Sequence, residues 1–179
     1  MSGLQDRLLQ RIVDVVDFPQ PGIVFKDISP LLADRMAFAA AVDAMAEVHL
    51  EQGIDLVVGI EARGFVLAAP VAYRLGAGFV PVRKPGKLPK ATHETSYDLE
   101  YGQNVLQVHL DAIPAGSRVL VVDDVLATGG TAAAAARLVA ACDAELVGFS
   151  LLLELGFLDG RSALSTACPG VPVEALLTV

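Results

Sequence analysis

One stretch, VLVVDDVLATGGT at positions 119–131, constrains this chain more than any other. Val119, Leu120, Val121 and Val122 are apolar and mostly β-branched, the pattern of a strand buried on both faces. Two adjacent carboxylates follow, Asp123 and Asp124. A short turn comes next (Val125, Leu126, Ala127, Thr128), then Gly129, Gly130 and Thr131. The Ala-rich run at 132–141 predicts a helix. Strand, tight loop and helix start therefore succeed one another.

That succession builds an anion cradle. The first turn of a helix leaves backbone N–H groups without intrahelical partners, and the macrodipole places partial positive charge there. Gly129 and Gly130 let the backbone approach a ligand closely, and Thr128 and Thr131 add hydroxyl donors. A phosphate dianion suits these groups. The two acids fall at the carboxyl end of the strand, where open α/β sheets hold their ligands. Carboxylates repel phosphate, so they face something neutral or cationic: a ribose diol, or a hydrated Mg²⁺. The loop lacks the Gly-Lys-Ser/Thr ending of a Walker loop and is no G-x-G-x-x-G fingerprint. A sugar phosphate, its 5′-phosphate in the loop and its hydroxyls on the acids, is the sharper reading.

Along the rest of the chain, Leu4, Leu8, Ile12, Val15 and Val16 recur at helical spacing. They predict an amphipathic first helix of about four turns, ended before Pro19 and Pro21. Phe25 then sits on a loop framed by Pro and Gly. It could lie flat against a planar ring or plug the core, and composition favours the core. Residues 34–52 read as a helix, with Asp34 as N-cap and Gly53 as its stop. A buried strand at 54–60 runs into Glu61-Ala62-Arg63-Gly64, and a helix follows at 65–75. Arg63 at a helix start opposes the macrodipole, which implies an anionic partner. Residues 78–82 read as a strand, with Pro81 marking an edge or terminus.

The segment 83–95 is basic, rich in Pro and Gly, and without apolar periodicity. It is either a mobile loop that closes over a polyanion and excludes water or a solvated charged loop. Residues 96–100 and 105–110 alternate polar and apolar and predict an antiparallel ribbon. Strands are expected at 145–153 and 171–179, the last an edge strand, with a loop or short helix at 156–164.

A chain of 179 residues with 54 % hydrophobic and 19 % charged residues forms a single domain with a full core. Its net charge of −8 argues against nucleic acid and against an anionic membrane surface. Arg83, Lys84, Lys87 and Lys90 are the local exception. Cys142 and Cys168 lack C-x-x-C spacing and read as buried thiols. His49, His93 and His109 are scattered, so neither a metal cluster nor a Ser-His-Asp arrangement is evident. Without an apolar segment near Met1 or a run of spanning length, the expectation is a soluble, cytoplasmic protein.

The signature at 119–131 resembles the phosphoribosyl-pyrophosphate motif of the type I phosphoribosyltransferases, and its Leu-Ala-Thr-Gly-Gly-Thr wording is closest to the adenine phosphoribosyltransferases. DFPQPGIVFKDISPLL (17–32), GIEARGF (59–65) and RKPGKLP…YDLEYG (83–102) resemble the same subgroup. The likeness covers nearly the whole chain, in order. It implies one α/β domain over residues 1–179, with a central, mostly parallel sheet, helices on both faces and a small β-ribbon hood carrying a lid at about 83–110.

It also implies transfer of phosphoribosyl from phosphoribosyl pyrophosphate to adenine, giving AMP and pyrophosphate. By resemblance, Val24 and Lys26 offer backbone groups to adenine and Phe25 stacks on it. Ala127, Thr128, Gly129, Gly130 and Thr131 hold the 5′-phosphate, and Val125 and Leu126 belong to the same substrate-binding stretch. Asp123 and Asp124 grip the ribose diol. Arg63 serves the pyrophosphate from a loop with a cis peptide between Glu61 and Ala62. Arg83 and Lys87 contact pyrophosphate, one of them reaching across a homodimer interface. Glu100, beside Tyr101, manages the purine proton, with a lid salt bridge as its plainer role. Mg²⁺ enters mainly on substrate oxygens, without direct protein ligands. Alternatives are a transferase for hypoxanthine, guanine or xanthine, or a non-catalytic purine-responsive regulator on the same fold.

Overall fold

The computed structural model describes residues 2–98 and 103–179. Its elements run α1 (Ser2–Leu9), β1 (Val13–Val16), β2 (Val24–Asp27), α2 (Ser29–Ala33), α3 (Arg35–Glu47), β3 (Leu56–Ile60), α4 (Arg63–Leu75) and β4 (Gly78–Val82). They continue with β5 (Thr92–Asp98), β6 (Gln103–His109), β7 (Arg118–Leu126), α5 (Gly130–Ala141), β8 (Glu145–Glu154), a 3₁₀ turn (Gly156–Leu158), α6 (Gly160–Ala167) and β9 (Val173–Thr178).

Five strands form the central sheet in the order β4-β3-β7-β8-β9, every neighbouring pair parallel. Successive side chains of a strand point to opposite faces, and here both faces are covered. Val58, Ile60, Val119, Val121, Phe149 and Leu151 point towards α5, α6 and the β5–β6 ribbon. Val57, Leu120, Val122, Leu152 and Leu177 point towards α1, α3 and α4. This is the expected α/β architecture, and the run of valines in β7 is its doubly buried centre.

Several boundaries differ from the sequence reading. The first helix ends at Leu9, and Val13–Val16 forms a strand paired antiparallel with Val24–Asp27. All four residues of that strand are exposed. The β-branched side chains of Val13, Val15 and Val16 disfavour helix, and the return of the chain to Val24–Asp27 supplies a pairing partner. Helical spacing of the valines was thus overridden by a contact between segments. The segment after β2, unassigned from sequence, holds the short α2, with Pro30 in its first turn.

Asp34 caps α3 as expected, its side chain accepting hydrogen bonds from the Met36 and Ala37 amides at 2.9 and 3.1 Å. That helix stops at Glu47, short of the expected residue 52. The ribbon starts at Thr92 and so takes residues 92–95 out of the expected loop. Strand β7 runs on through both acids to Leu126, because β8 continues alongside it to Glu154.

Candidate active site

At the carboxyl end of β7 the chain turns through residues 127–129 into α5. Gly129 is the N-cap, in the left-handed region at φ 84°, ψ −10°, where a side chain would be strained. No side chain caps this helix, so its leading amides are open to a ligand. Thr128 is exposed, Ala127, Gly130 and Thr131 are half-buried, and Ala132 to Ala136 pack into the core beneath. Leu126 is also core, and its carbonyl accepts from the Leu155 amide at 2.9 Å.

Asp123 and Asp124 are 8 % and 6 % exposed. Asp123 Oδ1 accepts a hydrogen bond from the Asp124 amide at 2.9 Å. Gly64, in the first turn of α4, leaves room for that carboxylate: a Cβ there would lie 2.5 Å from Asp123 Oδ1. Burial, and then the neighbouring charge of Asp124, push the Asp123 carboxyl well above its ordinary range. Burial also raises Asp124, opposed by Arg63. A pair held this way resists carrying two full charges unless hydroxyl donors or a cation meet it.

Arg63 Nη2 approaches Asp124 Oδ2 to 2.6 Å. Asp124 Oδ2 is buried, and this ion pair is the contact that meets it. The same guanidinium lies over the Phe25 ring, 4.8 Å from its centroid. Arg63 thus spans the aromatic and the acid pair. Phe25 is half-buried and packs edge-on against Phe18, with centroids 5.1 Å apart. A cleft of about 350 Å³ is lined by Val15, Phe18, Phe25, Asp27, Ser29 and Arg63. Val24 is exposed, and Lys26 reaches back to Asp14 at 2.7 Å.

Arg83 is tied down rather than free. Its Nε donates to Glu61 Oε2 at 2.8 Å, its Nη1 to the Lys87 carbonyl at 3.2 Å, and its backbone pairs with Gln107. Lys87 is exposed on the turn so held. The Glu61–Ala62 peptide is cis, as the resemblance implied. Glu100 and Tyr101 lie outside the described residues.

Among the described residues, no group of three or more His, Cys, Asp or Glu side chains could hold a metal ion. The hard oxygens of Asp123 and Asp124, both nearly buried at the carboxyl end of β7, nevertheless suit a hydrated Mg²⁺ whose other ligands come from a substrate.

Three contributors escaped the sequence reading. Asp27 and Ser29 line the cleft, where Asp27 Oδ1 accepts from the Ser29 amide and hydroxyl at 2.9 and 2.6 Å. Those bonds hold the Asp27 carboxyl below its usual range. An acid two residues before Ser, ahead of a Pro-started helix, was the available signal. Glu61, the acid that orients Arg83, had none, because its partner is 22 residues away.

The fold and this site define a sugar-phosphate enzyme of the parallel α/β class. The model of the phosphoribosyl transferase domain matches residues 31–162. An adenine phosphoribosyltransferase of Streptomyces coelicolor is 59 % identical over 178 residues, covering 99 % of this chain and 98 % of the relative. The crystal structure of adenine phosphoribosyltransferase from Rhodothermus marinus superposes with a TM-score of 0.94 at 49 % identity, covering 100 % of both chains. That of the Saccharomyces cerevisiae enzyme, complexed with D-2,5-dideoxy-2,5-imino-altritol 1,6-bisphosphate and adenine, has a TM-score of 0.91 at 40 % identity, covering 99 % of this chain and 100 % of the other. The chain belongs to the phosphoribosyltransferase family, in its adenine phosphoribosyltransferase branch.

Proposed function

We propose that this chain transfers the phosphoribosyl group of phosphoribosyl pyrophosphate to adenine, forming AMP and releasing pyrophosphate in purine salvage. The observation that carries the site reading is the juxtaposition of an uncapped α5 start, a buried acid pair and an aromatic cleft joined by Arg63. The spacing suits a nucleotide: phosphate on residues 127–131, ribose on Asp123 and Asp124, base against Phe25.

In the reaction the bond from C1′ to pyrophosphate breaks, the bond to adenine N9 forms, and the N9 proton leaves. Positive charge develops at the sugar, and the two buried acids stabilise it electrostatically. The amides at the α5 start hold the 5′-phosphate, fixing C1′ relative to the base. Arg63 exchanges Asp124 for the departing pyrophosphate, and Arg83 and Lys87 add positive charge from the basic turn. Val24 and Lys26 present backbone groups to the base edge. Glu100, next to Tyr101, is the proton carrier in this reading. Mg²⁺, held beside Asp123 and Asp124 and by the substrate, would supply charge neutralisation for the leaving group.

We further read the protein as a cytoplasmic homodimer that uses neither nucleic acid nor membrane. The net charge of −8 supports the reading against nucleic acid, and among the described residues no helix is long and apolar enough to cross a membrane; the homodimer rests on the family resemblance. Pyrophosphate release with adenine, hypoxanthine, guanine and xanthine as alternative acceptors tests the assignment. Adenine is expected to be the preferred acceptor by far. Turnover with another purine but not adenine overturns the base assignment, and ligand binding without turnover overturns catalysis.

A further inference from the structure

The phosphate loop rests on a second backbone, far along the chain. A Cβ placed on Gly160 would lie 2.0 Å from the Ala127 carbonyl oxygen, 2.9 Å from its carbon and 3.1 Å from the Gly129 amide nitrogen. The contact is reciprocal: a Cβ on Gly129 would lie 2.7 Å from the Gly160 oxygen. Two stretches of main chain therefore touch with no side chain between them. Any side chain on either would displace backbone, not the end of a flexible group.

The supporting side is itself fixed. Asp159, just before Gly160, is in the left-handed region at φ 51°. Arg161, just after it, grips both carboxylate oxygens of Glu154 through Nε at 3.0 and 3.1 Å and Nη2 at 2.6 Å. Its Nη1 bonds the Val173 carbonyl of β9. Glu154 is 8 % exposed and pairs in register with Leu126, the last β7 residue before the loop. Arg161 and Glu154 thus tie the shelf under the loop to the strand from which the loop departs.

We propose that Gly160 is a positioning residue for the sugar phosphate: it sets the height of the Ala127 and Gly129 backbone, with Arg161 and Glu154 as the clamp that holds it. This rests on the reading that residues 127–131 hold the 5′-phosphate. Gly160→Ala displaces the Ala127–Gly129 backbone and with it the amides that receive phosphate, while the cleft around Phe25 is built from other segments.

Binding of AMP and of adenine, measured separately by calorimetry, and steady-state kinetics test this. Gly160→Ala is expected to weaken AMP and raise KM for phosphoribosyl pyrophosphate about tenfold, with adenine affinity held within about twofold. Equal weakening of AMP and adenine, or no weakening of AMP, overturns the proposal. If Gly160→Ala does not fold, Arg161→Lys keeps the cation but loses the two-oxygen grip and is expected to show the same selectivity at about threefold. A Thr128→Ala/Thr131→Ala double variant separates the two readings. If it weakens AMP while Gly160→Ala does not, only the shelf fails. If a Gly129→Pro variant, which removes a loop amide and the left-handed turn, binds AMP as the unmodified chain does, the phosphate assignment fails and the shelf proposal with it.

Discussion

Arg63 and Asp124 meet at 2.6 Å across the junction between the first turn of α4 and the end of β7. The sequence anticipated an anionic partner for Arg63, because a cation at a helix start opposes the dipole. In the folded chain that partner is one of the two signature acids, and the guanidinium also lies over the Phe25 ring. The aromatic cleft and the acid pair thus share one side chain. Replacing Arg63 with Ala is expected to lower kcat/KM for phosphoribosyl pyrophosphate by about a hundredfold, the scale of removing one charge-stabilising donor. Kinetics at saturating adenine check this; an unchanged kcat/KM removes Arg63 from the chemistry.

The buried acids carry the second expectation. Asp123→Asn combined with Asp124→Asn should reduce turnover by at least about a thousandfold while far-ultraviolet circular dichroism stays that of the native sheet and helices. Activity near that of the unmodified enzyme would make the pair structural.

Asp123 also links stability to pH. Its carboxyl is raised from 3.8, first by burial and then by Asp124, so ionisation costs more in the folded chain than in the unfolded one. The destabilisation is absent below the unfolded value, grows as pH rises through the folded one, and is complete above both. Asp123→Asn removes it. At pH 8 the variant should be more stable by about 1 kcal/mol, or roughly 2–4 °C in Tm for a domain of this size, and the gap should close as pH falls towards 3.8. Thermal melts across that range give the answer, and a variant less stable at pH 8 contradicts it.

Lys87 sits exposed on the turn whose carbonyl is held by Arg83. Lys87→Ala should raise KM for phosphoribosyl pyrophosphate about tenfold and leave adenine affinity unchanged. Initial rates with each substrate varied in turn separate the two, and an unchanged KM for phosphoribosyl pyrophosphate removes the turn from the mechanism.

Asp34 offers a structural control remote from the signature loop. It receives two amides of the α3 first turn, so Asp34→Ala should cost about 1 kcal/mol with kinetics unchanged. Urea unfolding monitored beside the activity assay checks both halves.

Much of this was legible in the residues themselves. Local chemistry defines the signature: β-branched valines demand a doubly covered strand, and two glycines before an Ala-rich run demand a turn into a helix. The Asp34 cap was readable for the same reason, since its bonds reach only two and three residues ahead. Val13 to Val16 were misread because helical spacing of apolar residues is blind to a strand partner about a dozen residues on. The ribbon start at Thr92 was missed likewise, because its pairing with His109 is what makes those polar residues a strand.

The amino-acid order alone thus determined the α/β class, the glycine turn into α5 and the acid pair, each encoded within a window of a few residues. Only the tertiary structure decided that Arg63 lies between Phe25 and Asp124, that Glu61 orients Arg83, and that Gly160 underlies Ala127 and Gly129. Those relationships join residues far apart along the chain. They follow from how the sheet and helices pack, and no local propensity carries them.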